Sequence, residues 1–162
     1  VDVLFEAIVK EFDSATFRVH FPDGSYVGKH LAENTRNMFK MSARKYPTIE
    51  FELTTDYKTR TDLIKWLAES DLNLFLWGAS RDTTDFGNIP AAPDQAIAAR
   101  RPLAFNRMRC SEHLSAYIEP YPDQSLRDAM KTTVGVEQMY EAWSPEAAIE
   151  IFDTFMGRVC ST

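Results

Sequence analysis

The 162-residue chain carries 24 acidic and 18 basic side chains, a formal net charge of −6, and is 44% hydrophobic and 12% aromatic. That is enough apolar material for one cored domain rather than a disordered segment, and the acidic balance argues against nucleic acid as a partner, because binding phosphate backbones needs a clustered basic face. Cys110 and Cys160 form neither a disulfide framework nor a metal-ligand spacing, and runs such as Leu74-Phe75-Leu76-Trp77 fall far short of the ~20 apolar residues of a membrane span, so a cytoplasmic setting with no metal and no cofactor is expected.

Residues 1–12 place Leu4, Ile8 and Phe12 at i, i+4 and i+8, the stripe of an amphipathic helix. Ala15 to Phe21 then alternates, with Phe17, Val19 and Phe21 on one side and Thr16, Arg18 and His20 on the other, until Pro22-Asp23-Gly24 breaks the strand. Leu31 to Lys45 returns to helical composition and should stop before Pro47, which restricts Tyr46 to extended geometry. A second strand is expected over Thr48–Thr54. Thr59 with Asp62 three residues on resembles a capping box and opens a helix over 59–69, with Leu63, Trp66 and Leu67 on one face.

Leu72–Trp77 is almost continuously apolar, as a strand buried on both faces would be, and is expected at the centre of a sheet. A long polar loop from Gly78 to about Pro90 leads to Pro93 at a helix-opening position, and Pro102–Phe105 gives one more strand. A short helix from Cys110, a possible strand at Ala116–Ile118, an N-cap at Ser125 and a strong helix start at Ser144-Pro145-Glu146 complete the chain. Ile149, Phe152 and Met156 form a stripe expected to pack back on the domain. The alternation of helix and strand predicts an α/β fold, a three-layer α/β/α sandwich with a mainly parallel sheet and C-terminal helices.

In such a sheet ligands bind beyond the carboxyl ends of the strands. Pro22–Lys29, Thr55–Lys58 and Gly78–Pro93 occupy those positions, the last leading to a helix N-terminus with Arg81 nearby. Tyr57 has the character of a base-stacking ring or of an exposed loop aromatic. Arg100, Arg101, Arg107 and Arg109 read either as an anion cluster or as solvated and helix-end arginines. His113 is a site histidine or a structural one, and Met38, Met41, Met130 and Met139 read as core gap-fillers. No P-loop, dinucleotide fingerprint or nucleophile elbow is present.

The segments LAESDLNLFLWG and PDQAIAARRPLAF, followed by His113-Leu114 and Pro122-Asp123-Gln124-Ser125-Leu126-Arg127, resemble the C-terminal half of GT-B glycosyltransferases of the retaining, family-four-like kind. The resemblance implies a Rossmann-like domain that binds a nucleotide-sugar donor, a UDP- or GDP-sugar. It also implies a missing N-terminal acceptor domain and, because FEAIVKEFDSA matches the first helix, a missing strand before it. The alignment sets Gly87 and Gln95 at the family's paired glutamates, with Asp85 and Asp94 close by. Donor contacts are accordingly expected from Arg81, Asp94, Gln95, Tyr57, Lys58 and Arg107. No catalytic residue is assigned, and the chain alone is expected to transfer no sugar. The alternative is a non-catalytic α/β interaction module, a degenerate transferase domain. A receiver-like switch fits less well, because Asn106 rather than lysine follows the last strand.

Overall fold

The computed structural model describes residues 2–21, 26–76 and 92–159. It is mixed α/β, with two small parallel sheets among the described residues. Helix α1 (Asp2–Glu11) leads into strand β1 (Ala15–His20), and α2 (Tyr26–Lys45) crosses to β2 (Ile49–Thr54). After α3 (Arg60–Ala68) and β3 (Asn73–Phe75) come α4 (Ala92–Ala98) and β4 (Leu103–Phe105), then a 3-10 helix at Arg109–Ala116. Helices α5 (Leu126–Ala129), α6 (Val134–Ala142) and α7 (Pro145–Val159) follow.

The capping chemistry sets several of these boundaries. Thr59 accepts a hydrogen bond from the Asp62 amide, Ser125 from the Asp128 amide, and Ser144 from the Ala147 amide at 3.1 Å. Each satisfies an N–H that the first helical turn leaves without a partner. Helix α2 begins at Tyr26, ahead of the expected Leu31, and runs to Lys45.

Strands β1 and β2 pair in parallel, Phe17 beside Phe51 and Arg18 beside Glu52. Alternate side chains point to opposite faces, so the aromatic contacts identify which helix covers which face. The Phe17 ring lies 5.7 Å from Phe39 of α2, and Phe51 lies 5.5 Å from Phe5 of α1. Both helices therefore share one face. On the opposite face the Arg18 guanidinium sits 4.8 Å over Trp66 of α3, with the His20 ring 5.8 Å from the same indole.

Strands β3 and β4 form the second pair, Asn73 beside Leu103. A core of Ala96, Ile97, Leu103, Phe105, Leu114, Ile118, Val136 and Met139 closes over it from α4, the 3-10 helix and α6. The first core runs from Phe5, Ile8 and Phe17 through Phe39 and Ile49 to Leu76, Ala104 and Leu126.

Three expectations need correction. The strand in Leu72–Trp77 is only three residues long and, among the described residues, pairs on one side alone, so it is not the centre of a continuous sheet. Ala116–Ile118 is no strand, because the amides of Tyr117 and Ile118 both donate to the Leu114 carbonyl and prolong the helical turn. Helix α7 does not pack back through Ile149 and Phe152, which are 61% and 60% exposed, and Ile151, on another side of the helix, is 67% exposed. Met156 lies among residues whose side chains are not described. Of the methionines, Met139 is fully buried, whereas Met41 and Met130 are exposed.

Candidate functional site

A groove of about 1150 Å³ separates the two strand pairs. Ser14 to His20 line one side of it and Leu72 to Phe75 the other, while Leu4 and Ile8 of α1, Phe12 just after it, and Leu63, Trp66 and Leu67 of α3 also face it. Tyr57 and Lys58, which follow the carboxyl end of β2, line its mouth, and Gln95 of α4 lines the same groove. Three of the residues expected from sequence, two from a loop and one from α4, therefore line one groove.

Tyr57 is 85% exposed, so its ring is open to a ligand. Lys58 is the opposite case: its side chain is 15% exposed and its ammonium lies 2.7 Å from the Asp56 carboxylate. That hydrogen bond holds the Asp56 carboxyl below the usual carboxylate range. Because Asp56 is itself largely exposed, an incoming anion can compete for the Lys58 charge against a solvated partner.

Sequence reasoning missed the wall behind these residues. Arg18 donates from Nε to Glu52 at 3.0 Å and from Nη2 to Glu69 at 3.1 Å, so its charge is already used in binding β1 to β2 and α3. His20 shares a 2.9 Å hydrogen bond with Thr54. The indole Nε1 of Trp66 is buried with no hydrogen-bond partner among the described residues and belongs to a side chain lining the groove. The alternating pattern puts Thr16, Arg18 and His20 on one side of β1 without saying what lies against them. The signal that it is covered was the Leu63, Trp66 and Leu67 face of α3, whose partner the pattern alone did not name.

Burial and the neighbouring Lys58 charge hold His20 below its ordinary pKa of 6.5, against an opposing pull from Asp56. The unfolded chain therefore binds a proton that the folded chain resists, and the His20 contribution to stability, complete above pH 6.5, is lost as pH falls below it. His20→Gln is expected to flatten the fall of the urea midpoint between neutral pH and mild acid. An unchanged pH profile would contradict this.

The remaining expected residues do not assemble. Arg81 and the Gly78–Ala91 part of its loop lie outside the described residues, as do Pro22–Ser25, Asp85 and Gly87. Asp94 is exposed on α4 and does not line the groove with its neighbour Gln95, because successive helical residues point ~100° apart. Arg107 pairs with Asp123 at 3.1 Å and stands near Glu119, and neither it nor these partners line the groove. Arg100 and Arg101 are occupied too: Arg100 lies 3.9 Å over Tyr140 and 3.7 Å from Glu137, and Arg101 donates to the Ala68 carbonyl at 2.6 Å, while the Arg109 side chain lies outside the described ones. Arg100 and Arg101 satisfy helix ends and rings rather than an anion cluster. His113 stacks on Trp143 with centroids 5.5 Å apart, away from the groove lining.

No group of metal-ligating side chains occurs among the described residues, and no described helix is long and apolar enough to cross a membrane. Compared with known proteins, the chain matches no family model, no curated protein and no solved structure.

Proposed function

We propose that the mouth of this groove binds a nucleoside diphosphate, as the donor-binding part of a larger two-domain glycosyltransferase. The observation that carries the reading is that Tyr57, Lys58 and Gln95 line one groove, the first two just past the carboxyl end of β2. Parallel strands aim their following loops at that end, which is where α/β folds take up ligands. Tyr57 supplies a ring for the base, Lys58 a largely buried cation for a phosphate, and Gln95 an amide able to hydrogen-bond ribose hydroxyls. The proposed frame is a Rossmann-like sandwich of which the two strand pairs are the two halves.

The chemistry this arrangement supplies is binding rather than bond cleavage. A diphosphate leaving group develops negative charge, and a fixed ammonium stabilises that charge best when it is held away from bulk water. Gln95 stands where the resemblance has a glutamate, so it donates or accepts hydrogen bonds without adding charge. Transfer of a sugar by this chain alone is not expected, since the acceptor side would come from another domain.

The test is calorimetric titration of the protein with UDP, GDP and their sugars. Lys58→Ala should weaken binding roughly ten- to hundred-fold, the value of a charge-assisted hydrogen bond. Tyr57→Ala should weaken it by a comparable factor through lost stacking. Binding that is absent, or equal in wild type and both variants, would defeat the reading.

One observation favours the second reading, an interaction module without catalysis. Residues 148–154 of α7 are exposed throughout, and they include Ile149, Ile151 and Phe152. Apolar side chains left in water along a helix are the usual mark of a surface that another molecule covers. Analytical ultracentrifugation of wild type against Ile149→Asp with Phe152→Asp distinguishes the cases. Self-association lost in the variant supports the module, and a concentration-independent monomer in both removes self-association as its basis.

A further inference from the structure

The groove has a shape that nucleotide binding does not explain. It runs along the whole of β1 and β3, and its other two walls are helical stripes, Leu4 and Ile8 of α1 with Phe12 just after it, and Leu63, Trp66 and Leu67 of α3. Phe5 of α1 meets the Phe17 and Phe51 face of the first strand pair, whereas Trp66 of α3 meets the Arg18 face. The slot is thus bounded by two strand edges at its sides and by one helix from each face.

The strand pairing shows which backbone groups point into it. Ala15 donates to the Thr48 carbonyl and Phe21 to the Thr54 carbonyl, so odd-numbered amides of β1 face β2. By alternation, the amides of Thr16, Arg18 and His20 face the slot. Asn73 donates to the Pro102 carbonyl, so the amide of Leu74 points toward the slot from the other side. Among the described residues no strand pairs with either edge.

Crossover handedness then fixes what belongs there. Parallel crossovers are right-handed in about 98% of cases, so helices on one face carry the chain across a sheet in one direction, and helices on the other face carry it back. Helix α2 takes the chain from β1 out to β2. Helix α1 lies on the same face, so a strand leading into it would sit beside β1 on the edge away from β2. Helix α3, on the opposite face, brings the chain back past β1, and α4, packed against α3, continues in that direction to β4. The order becomes β2, β1, one position that no described strand fills, β3, β4.

We infer that the slot takes one further parallel strand, apolar and about six residues long, formed by polypeptide that enters α1 directly. At ~4.8 Å from each neighbour it would join the two pairs into a single five-stranded sheet, burying the stripes of α1 and α3 against its two faces. The strand occupies the length of the slot and leaves the mouth at Tyr57 and Lys58 open. This inference does not depend on nucleotide binding.

The test fuses six alternating Val and Ile residues and a three-residue Gly-Asn-Gly link ahead of Val1 of the full chain, and follows amide hydrogen exchange by NMR. Slowing of the Thr16, Arg18, His20 and Leu74 amides by roughly tenfold or more is expected. A control fusion with proline at alternate strand positions, which cannot donate into the ladder, should leave them at the rate of the unextended chain. Three outcomes overturn the inference. They are unchanged exchange in the Val/Ile fusion, equal slowing in the proline control, and protection already present in the unextended chain. If that last protection rises with protein concentration, the occupant is a second copy of the chain instead.

Discussion

Phe105→Ala is expected to destabilise the fold by roughly 3–5 kcal/mol, a large part of the 5–15 kcal/mol typical of a domain. Phe105 is wholly buried in β4, at the contact of α4, the 3-10 helix and α6 with the second strand pair. Its neighbours Leu114, Met139 and Val136 are almost as completely enclosed, and they come from elements that cannot close over the void without shifting helices. For a domain of this size the loss corresponds to roughly 6–20 °C in Tm. Urea unfolding followed by tryptophan fluorescence checks it. A midpoint within experimental error of wild type would mean that the second core does not hold the fold.

Gly135→Ala is the second large effect, and its sign is informative. Alanine is favoured over glycine in a helix interior by up to about 1 kcal/mol, so propensity alone predicts stabilisation. The added Cβ would overlap the Tyr117 backbone carbonyl oxygen and lie 2.6 Å from Ile118 Cγ1. A carbonyl on the main chain cannot rotate aside as a side chain would, so α6 must lift from the segment after the 3-10 helix. The cost of such overpacking is about 1–3 kcal/mol and outweighs the propensity gain. A rise in Tm would show that α6 packs otherwise.

How much of this was legible in the sequence depends on the range of the interaction involved. Local signals read well: Thr59, Ser125 and Ser144 cap helices because their hydroxyls act within one turn. Alternation in β1 and the stripes of α1 and α3 were equally plain. The rule that ligand groups follow strand carboxyl ends points to Thr55–Lys58, the segment that contributes Tyr57 and Lys58 to the groove lining.

What failed was everything set by a distant partner. Apolarity in Leu72–Trp77 marks burial but not which strands lie beside it, and β3 is short and paired only with β4 among the described residues. The i, i+3, i+7 stripe of α7 gives a face without saying what covers it. Whether Arg100, Arg101 and Arg107 form an anion cluster or serve helix ends stayed open, because closeness in sequence does not name their partners. Tyr140, the Ala68 carbonyl and Asp123 each claim one of them from a different element. Arg18 and Trp66 were overlooked for the same reason, since their meeting joins β1 to α3 across the chain.

The central proposal is that a nucleoside diphosphate binds at the groove mouth lined by Tyr57 and Lys58, past the carboxyl end of β2. Backbone amide shifts of the chain titrated with UDP and with GDP test it most directly. The account predicts saturable changes concentrated at Tyr57, Lys58, Gln95 and the adjoining His20, with those changes lost in Lys58→Ala. Changes confined to the surface around Arg100 and Arg107, or no saturable change with either nucleotide, would contradict it.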